Sequence, residues 1–498
     1  MTVPARDLTP EEFRRLGHAF VDWIADHRDA LPGLPVVPPV APGDVAAALT
    51  GPAAAFPGRR LPEAAQPLET LLGEIDRVVV PGSTHWQHPA FFGYFPANAS
   101  MASLLGDLLS GGLGAQGMLW STSPAATETE QVLLDGFAHA LGLCAAFTVA
   151  GGGGGVVQDS ASSAALVALL AALHRAAPGW RDTGVDGRER VYVTAETHSS
   201  LAKAVRVAGL GARALCVVDA VAGTQAMSPA ALADAMAADV AAGLRPVLVC
   251  ATVGTTGTGA VDPVRAIAPV AAAHGAWLHV DAAWAGVAGL CPELRHVIDG
   301  VDLADSFCTD AHKWLLTAFD ASLLWVRDAT ALPAALSVTP EYLRNAASES
   351  GAVVDFRDWQ VPLGRRFRAL KLWAVVHALG LEGLRAHLRG HVAAAVDLAA
   401  RVRAEPGVVL AAPPTLGLVC LRFTTADGDA DDATTRAVLE RVNASGAAFV
   451  THTVLDQRYV IRIAVGGVAT EAPHVEALWD RLRAEAAAVR GTCVPPQP

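Results

Sequence analysis

The chain has 498 residues, 52% of them hydrophobic and 17% charged, which predicts two or three domains with large cores and excludes a disordered chain. Its net charge of −12 comes without a basic run, so nucleic acid is a poor candidate partner, because neutralised phosphates supply most of that affinity. No uninterrupted apolar stretch reaches the roughly 18–20 residues of a membrane span, and the first residues do not have the pattern of a secretory signal.

The first predicted element is a helix near the N-terminus. The segment Thr9–Glu12 has a capping-box signature, and apolar residues follow it at helical spacing. These apolar residues are Phe13, Leu16, Phe20 and Ile24. A proline-rich stretch from Leu31 to Pro67 follows and predicts extended chain. We expect this N-terminal segment, residues 1–99, to pack on another domain or another subunit.

From about Ser100 to Val326, short apolar strands alternate with helices rich in alanine and leucine. The predicted strands are Val191–Val193, Pro246–Ala251, Trp277–Val280 and Ser322–Val326, and the predicted helices are Ala161–Ala176, Pro229–Ala242 and Val264–His274. This alternation predicts an α/β fold with a mainly parallel sheet covered on both faces. We place this large domain at residues 100–370.

The last part of the chain, residues 371–498, is predicted to be a small α+β domain. Long helices to about Arg403 lead into strands at Leu416–Phe423 and Tyr459–Ala464, and a helix lies near His474–Val489. The seven cysteines of the whole chain stand singly, without the spacing of a disulfide framework or a zinc site. We therefore expect free thiols, no bound metal and a reducing, cytoplasmic location.

Three segments near predicted strand ends carry candidate chemistry, because ligands of an open parallel sheet bind beyond the carboxyl ends of its strands. The first is the glycine run Gly151–Gly155, which leads to Ser160 at the start of a predicted helix. A glycine-rich turn into a helix N-terminus offers N–H groups, hydroxyls and a positive dipole end to a phosphate. Taken alone, such a run is more often a hinge.

The second segment ends in Asp281, directly after an apolar strand. A lone aspartate there usually caps a turn, but in a closed pocket it can keep a pyridinium nitrogen protonated. The third segment contains Lys313, 32 residues later. The chain has three lysines against 34 arginines, so a retained lysine indicates a need for a primary amine, which can form a Schiff base. For Lys203 and Lys371 we favour leftover surface lysines.

A phosphate site, an aspartate and a lysine in this order describe a site for pyridoxal phosphate (PLP). Further segments at 84–96, 123–128, 156–162, 197–200, 253–257, 279–286, 310–314 and 359–368 support this interpretation. With these segments the chain resembles the group II PLP-dependent decarboxylases, most closely the aromatic-L-amino-acid decarboxylases, along nearly its whole length. The resemblance implies the fold-type I (aspartate aminotransferase-like) fold, a homodimer with shared active sites, and conversion of an aromatic L-amino acid to its amine and CO₂.

The resemblance also implies roles for single residues. Lys313 would form the Schiff base with PLP, Asp281 would pair with the pyridine nitrogen, and His198 would stack on the ring face. The other residues implied to surround the cofactor are Ser160, Ala161 and His312 at the phosphate and Thr256 and Ala283 along the ring. Tyr342 would protonate the substrate carbon after CO₂ leaves. Relatives with phenylalanine at this tyrosine tend to form aldehydes, so Tyr342 favours simple decarboxylation.

Two carboxylates depart from the family pattern. Asp310 stands where animal relatives have asparagine near the phosphate, and Asp159 stands where glycine is common. Both should repel a phosphate, so we expect them to turn away or to pair with a cation or donor.

The implied substrate site is aromatic. Its residues are Trp86, Tyr94, Phe95 and Pro96, with Gln116 and Met118 from the neighbouring subunit, and Gly364, which favours tryptophan-sized substrates. Phe91 and Phe92 are expected to be ordinary core. The alternatives are an aromatic aldehyde synthase, a decarboxylase of a non-aromatic amino acid, and a non-catalytic member of the family.

Overall fold

The computed structural model describes residues 7–51, 55–338 and 352–492. Helix α1, Pro10–Ala30, begins at the predicted capping box: Thr9 Oγ1 accepts from Glu12 N at 3.2 Å, and Glu12 Oε2 accepts from Thr9 N at 2.8 Å. Both backbone donors at this helix end are thereby satisfied, and the prediction is confirmed. Among the described residues, no helix is long and apolar enough to cross a membrane.

The proline-rich stretch is less extended than predicted. It contains helix α2, Asp44–Thr50, and helix α3, Thr70–Glu74, follows it. The prediction of extended chain is therefore wrong at α2, where a short run rich in alanine outweighs the surrounding prolines. The apolar face of α1 is only partly covered within the chain, since Leu16 is buried while Phe13 is 58% exposed.

A seven-stranded sheet forms the centre of the molecule. Its strands are β1 Gly154–Gln158, β2 Glu189–Val193, β3 Leu215–Val217, β4 Arg245–Thr252, β5 Trp277–Asp281, β6 Ser306–Asp310 and β7 Ser322–Val326. They lie in the order β1-β7-β6-β5-β4-β2-β3. Strand β7 is antiparallel to both its neighbours, and the other pairs are parallel. The predicted mainly parallel sheet is confirmed.

Helices cover both faces of this sheet. The helices in this part of the chain are α4 Met101–Leu113, α5 Pro124–Leu141, α6 Ala161–Ala176, α7 Trp180–Thr183, α8 Ser199–Val207, α9 Pro229–Ala241, α10 Val264–Ala273 and α11 Ala331–Leu336. Alternate residues of one strand enter different cores: Leu323 and Trp325 belong to one hydrophobic cluster, while Leu324 and Val326 belong to the other. This two-sided burial is typical of parallel α/β sheets and was expected from the continuous apolar strands.

Part of the glycine run lies in a strand and not in the predicted turn. Gly154 and Gly155 are the first residues of β1. A Cβ at Gly155 would lie 2.8 Å from Leu134 Cβ and 2.9 Å from Trp325 Nε1, so Gly155 lets α5 and β7 pack closely against β1. The prediction of a turn is wrong at these two residues, while helix α6 does begin after Ser160, as expected.

The C-terminal part has its own antiparallel sheet, in the order β10-β11-β9-β8. Its elements are α12 Ala369–Ala404, β8 Val408–Leu410, β9 Leu418–Phe423, α13 Asp432–Ala444, β10 Thr451–Leu455, β11 Arg458–Ala464 and α14 Ala472–Thr492. The segment around Phe92 attaches to this sheet, since Phe92 N donates to Phe449 O at 2.8 Å and Ala464 N donates to Phe92 O at 3.0 Å. Phe91 and Phe92 are fully buried, which confirms that they are core residues.

Helix α4 packs with its small residues inward. Ser103, Gly106 and Ser110 are its buried residues, and a Cβ at Gly106 would lie only 2.7 Å from the Lys371 Cα of α12. Leu104 is half-buried, and the other large apolar residues of α4 point outward and are more than half exposed. This apolar stripe consists of Met101, Leu105, Leu108, Leu109 and Leu113. The described part of the chain leaves this stripe uncovered.

Lys371 corrects one prediction from the sequence. It is fully buried, with its Nζ 3.7 Å from Asp107 Oδ1 and 4.0 Å from Asp320 Oδ1, and burial lowers its pKa. The prediction of a leftover surface lysine is wrong here, because the side chain lies between α4 and α12 beside two carboxylates. Lys203 on α8 is exposed, as expected. The six cysteines within the described residues are free thiols, and Cys493 lies outside them.

Candidate active site

A cavity of about 250 Å³ opens at the carboxyl ends of the central strands. Its walls are Phe95, Ser160, Ala161, Ser162, His198, Thr252, Gly254, Thr256, Asp281, Ala283, Trp284, Asp310, His312 and Lys313. Every residue that the sequence places around PLP is among them. Thr252, Asp281 and Asp310 are the last residues of the adjacent strands β4, β5 and β6, so the sheet itself brings these polar groups to one edge.

The N-terminus of α6 forms one end of the cavity. Gln158 at the end of β1 and Asp310 at the end of β6 both pair with Ser322 of β7, which places the α6 N-terminus at the same sheet edge. Ser160 is the N-cap and accepts from Ser163 N at 3.3 Å. The first-turn N–H groups of a helix have no intrahelical partner and carry a positive dipole end, so this end suits an anion. Asp159 accepts from Ser160 Oγ at 2.9 Å, the donor expected for that carboxylate.

Asp281 is held by its own backbone turn and by a buried layer beneath it. Its Oδ1 accepts from Ala283 N at 3.1 Å and lies 3.9 Å from the Cys308 thiol. Deeper in the sheet, His279 Nδ1 lies 2.8 Å from Ser306 Oγ. Complete burial lowers the pKa of His279 to about 4, so this ring is neutral at neutral pH. The carboxylate therefore projects from an uncharged floor into the cavity.

Lys313 follows β6, and its Nζ donates to Asp310 Oδ2 at 2.8 Å. About 24% of its side-chain surface stays accessible from the cavity. Asn98 fixes the backbone at this point, because its Nδ2 donates to the carbonyls of Lys313 at 2.5 Å and Gly466 at 2.8 Å. The amine is thus positioned by both the central sheet and the C-terminal part of the chain.

His198 is the N-cap of α8, and its Nδ1 accepts from Ser200 N at 3.2 Å. When the ring is neutral, its proton is therefore on Nε2. His312 Nδ1 accepts from Ala321 N at 3.1 Å, and Phe319 packs edge-on against the His312 ring with centroids 4.8 Å apart. Phe319 was not predicted from the sequence, because a phenylalanine in an irregular segment gives no signal by itself.

One wall of the cavity is a stack of aromatic rings. The Phe95 and Trp284 centroids are 4.2 Å apart, and those of Trp284 and Trp314 are 4.4 Å apart. The guanidinium of Arg462 lies 4.3 Å from the centroid of the Phe95 ring, and its Nε donates to Thr256 O at 2.5 Å. Trp284 is therefore an additional cavity residue, and Arg462 lies against the Phe95 ring without lining the cavity. An arginine within the apolar strand β11 was the available signal for Arg462.

Arg462 has unused donor capacity. It is almost fully buried, its Nη1 donates to Tyr94 O, and its Nη2 makes no hydrogen bond within the described residues. Burial lowers the pKa of Arg462 to about 10, so the guanidinium remains charged at neutral pH. A buried cation with a free donor beside the cavity wall suits a carboxylate.

The predicted substrate residues are divided between two places. Phe95 lines the cavity, and the preceding Tyr94 stacks on Trp86 with centroids 5.5 Å apart. Pro96 is buried beside Gly466. Tyr94 and Pro96 adjoin Phe95 in the chain, and Trp86 stacks on Tyr94. Within the described residues, none of these three lines the cavity itself.

The other predicted substrate residues lie away from this cavity, where Gln116 and Gly364 are exposed and Met118 is half-buried. Gln116 Oε1 accepts from Arg365 N at 2.6 Å, and Gln116 Nε2 lies 3.5 Å from the position of a Cβ on Gly364. Met118 O accepts from Arg357 N at 3.0 Å. The fold thus brings Gln116 and Gly364 together, directly after the end of α4, but not to this chain's cavity. Tyr342 lies outside the described residues, so its role stays a prediction.

The donor set fits PLP. A helix N-terminus with Ser160 and Ser162 suits its phosphate, the Asp281 carboxylate suits its ring nitrogen, and the Lys313 amine suits its aldehyde. The volume of about 250 Å³ is close to the lower end of small-molecule pockets, roughly 300 Å³. These groups face one cavity.

Comparison with known proteins gives a consistent result. The model of the pyridoxal-dependent decarboxylase conserved domain matches residues 54–424. Tryptophan decarboxylase 2 of Oryza sativa subsp. japonica is 42% identical over 494 residues, covering 98% of this chain and 97% of that protein. Phenylacetaldehyde synthase of Arabidopsis thaliana is also 42% identical, over 97% of both chains.

Solved structures agree in fold. The crystal structure of Oryza sativa TDC with PLP and tryptamine superimposes with a TM-score of 0.91 at 40% sequence identity. The match covers 97% of this chain and 99% of that chain. The similarity therefore extends through the N-terminal segment, the central sheet and the C-terminal part.

Proposed function

This chain belongs to the family of pyridoxal-dependent decarboxylases, and from that premise we propose that it converts an aromatic L-amino acid to its amine and CO₂. The observation that carries the proposal is the convergence of Lys313, Asp281 and the α6 N-terminus on one cavity with an aromatic wall. Similarity to tryptophan decarboxylase 2 and to the structure with PLP and tryptamine supports the aromatic substrate class.

PLP, when bound, supplies an aldehyde and a ring that accepts electrons. The chain's own groups decide where it sits and which bond breaks. Ser160 and the first turn of α6 would hold the phosphate, and Asp281 would hold a proton at the ring nitrogen. Lys313 Nζ would bond to the aldehyde and later release the amine product. Each of these groups is fixed by a strand end or a helix cap, so the geometry exists before substrate arrives.

The cavity walls would orient the substrate. Phe95 and Trp284 form an apolar wall suited to a planar side chain, and the nearby Arg462 guanidinium would attract the α-carboxylate. His198 would cover one face of the ring and exclude water from it. Together these walls would fix the direction of the bond between Cα and the carboxylate, and that orientation would decide that this bond is the one that breaks.

Replacement of Arg462 by methionine should raise KM for the amino acid about tenfold to a hundredfold, the effect of one hydrogen bond to a charged group. The matching amine lacks the carboxylate, so its inhibition constant should change much less. Steady-state kinetics with both ligands checks this. Arg436→Met is the control, because Arg436 also lies over an aromatic ring, that of Tyr459, at 4.2 Å. Equal weakening of amino acid and amine would contradict carboxylate binding.

We also propose that the protein is a homodimer with shared active sites. The apolar stripe of α4 is larger than single exposed residues would produce, and contiguous patches of this kind mark interaction surfaces. Gln116 and Gly364 lie directly beyond the end of this stripe, where a second copy would place them near its partner's cavity. The uncovered face of α1 supports the same partner.

Leu109→Glu should convert the dimer to monomers, because a carboxylate would then be buried in the interface without a partner. Multi-angle light scattering measures the mass directly. Val240→Glu on α9 is the control, since Val240 is 47% exposed but stands outside the stripe. A Leu109→Glu protein that remains dimeric would place the interface elsewhere.

The function is tested with a substrate panel on the PLP-loaded chain. We expect amine and CO₂ in equal amounts from one or more of tryptophan, DOPA, tyrosine and phenylalanine, and little from glutamate. An aldehyde synthase is the second candidate, because phenylacetaldehyde synthase is equally similar to this chain. Peroxide and ammonia among the products would favour it.

In Tyr342→Phe, CO₂ release should persist while amine yield falls. Finally, we propose a cytoplasmic location from the single, unpaired cysteines.

A further inference from the structure

Asp310 is a buried carboxylate that the proposed chemistry does not use. It ends β6, only 2% of its surface is exposed, and its Oδ2 accepts the 2.8 Å hydrogen bond from Lys313 Nζ. The Nε2 atom of His312 lies 3.6 Å from the same oxygen. The residue that must bond to the cofactor is therefore held in an ion pair before the cofactor arrives.

This ion pair favours the ammonium form of Lys313. Burial by itself favours the neutral amine, but the charge and hydrogen bond of Asp310 outweigh it, so the pKa of Lys313 lies above its ordinary value. In the opposite sense, burial disfavours the Asp310 carboxylate, but Lys313 and His312 outweigh it and lower the pKa of Asp310. The raised pKa of Lys313 and the lowered pKa of Asp310 both mean that the pair is ionised at neutral pH.

An ammonium group cannot bond to an aldehyde, because its nitrogen has no lone pair. Lys313 must first release one proton to solvent. Its Nζ then bonds to the carbonyl carbon, and the carbonyl oxygen leaves as water with the two remaining hydrogens of the amine. No electrons enter or leave in this exchange. The rate of the bonding step is proportional to the fraction of Lys313 that is unprotonated. Stabilisation of the ammonium form lowers this fraction and therefore slows the step.

We propose that Asp310 is a positioning residue that keeps Lys313 protonated in the cofactor-free chain, so that PLP capture is slow at neutral pH and accelerates as pH rises. The proposal rests on the proposed use of PLP. Other groups also face the amine among the described residues. Asp281 at the end of β5 and Cys308 of β6 raise the pKa of Lys313 further, and burial keeps the pKa of His312 below its ordinary value.

The test is the rate at which the cofactor-free chain bonds to PLP, followed by the absorbance of the carbon–nitrogen double bond in a stopped-flow instrument. For the unaltered chain, the rate should rise from pH 6 to about pH 10 without levelling off, since the amine stays largely protonated in that range. Asp310→Asn should bond about tenfold faster near pH 7, because loss of the neighbouring negative charge lowers the pKa of the amine. Its rate should level off at a lower pH.

Pyridoxal, which has no phosphate, separates this proposal from simple repulsion between Asp310 and the phosphate. If Asp310 acts on the amine, Asp310→Asn accelerates bonding to pyridoxal as well as to PLP. Asp159→Asn is the matched control, because Asp159 pairs with Ser160 and not with Lys313, and should alter only the reaction with PLP.

Three outcomes would overturn the proposal: an acceleration confined to PLP, an Asp310→Asn chain no faster than the unaltered one, or an unaltered chain whose rate levels off near neutral pH. The pH dependence of the unaltered chain needs no variant, so it tests the proposal even if Asp310→Asn misfolds. A chain that bonds to neither aldehyde would instead contradict the proposed function.

Discussion

Lys313→Ala is expected to lower decarboxylation by at least about 10⁴-fold, roughly 5 kcal/mol of transition-state stabilisation. Lys313 is the single lysine that lines the cavity within the described residues, because Lys203 is exposed on α8 and Lys371 is buried between α4 and α12. Neither of these two lysines can take its place. Product formation under single-turnover conditions measures the loss.

Two variants make the Lys313 result specific. Lys313→Arg keeps a cation beside Asp310 but has no amine that can bond to an aldehyde, so it should be as inactive as Lys313→Ala. Lys203→Ala removes an exposed lysine and should retain full activity. Wild-type rates in Lys313→Ala would refute the proposed mechanism.

Asp281→Asn is expected to lower kcat by about 10²–10³-fold while the cofactor remains bound. The amide keeps the shape of the side chain but removes the charge that favours a proton at the ring nitrogen. Steady-state kinetics and a pH titration of the bound cofactor's spectrum measure the two effects separately. The spectrum should lose its ring-protonated form at a lower pH than in the unaltered enzyme.

Asp305→Asn is the matched control for Asp281. Asp305 accepts from Leu278 N at 2.8 Å and from Arg175 Nη1 at 2.7 Å, at the opposite end of the same strands. Its replacement should reduce stability but leave kcat per folded molecule nearly unchanged. Equal losses in the two variants would indicate that Asp281 acts through the fold alone.

Much of the fold was predictable because its elements have local signals. The capping box at Thr9 and the helix Ala161–Ala176 occur as predicted, and the strand Ser322–Val326 has the predicted bounds. The glycine run was misread because its cause is not local. Gly155 is required by Leu134 and Trp325, which approach it from α5 and β7.

Site residues could be predicted where they directly follow strands that are neighbours in the sheet. Asp281 and Lys313 follow adjacent strands, so their spacing carried the information. Trp284 and Arg462 both pack on the Phe95 ring, Trp284 in the cavity wall and Arg462 outside the lining. These contacts depend on tertiary packing, and Lys371 was misassigned for the same reason. Gln116 and Gly364 lie close to each other but do not line this chain's cavity, so the roles predicted for them rest on the proposed homodimer.

The outward stripe on α4 has a consequence for stability. Most of the apolar area that this helix could bury lies on the side away from its own chain, where Leu105 and Leu109 are more than half exposed. Folding free energy that depends on association varies with protein concentration, by about 1.4 kcal/mol for each tenfold dilution. In the proposed homodimer, the melting temperature would therefore depend on protein concentration. Dilution of that dimer would loosen α4, the helix that leads into Gln116, before it affects the central sheet.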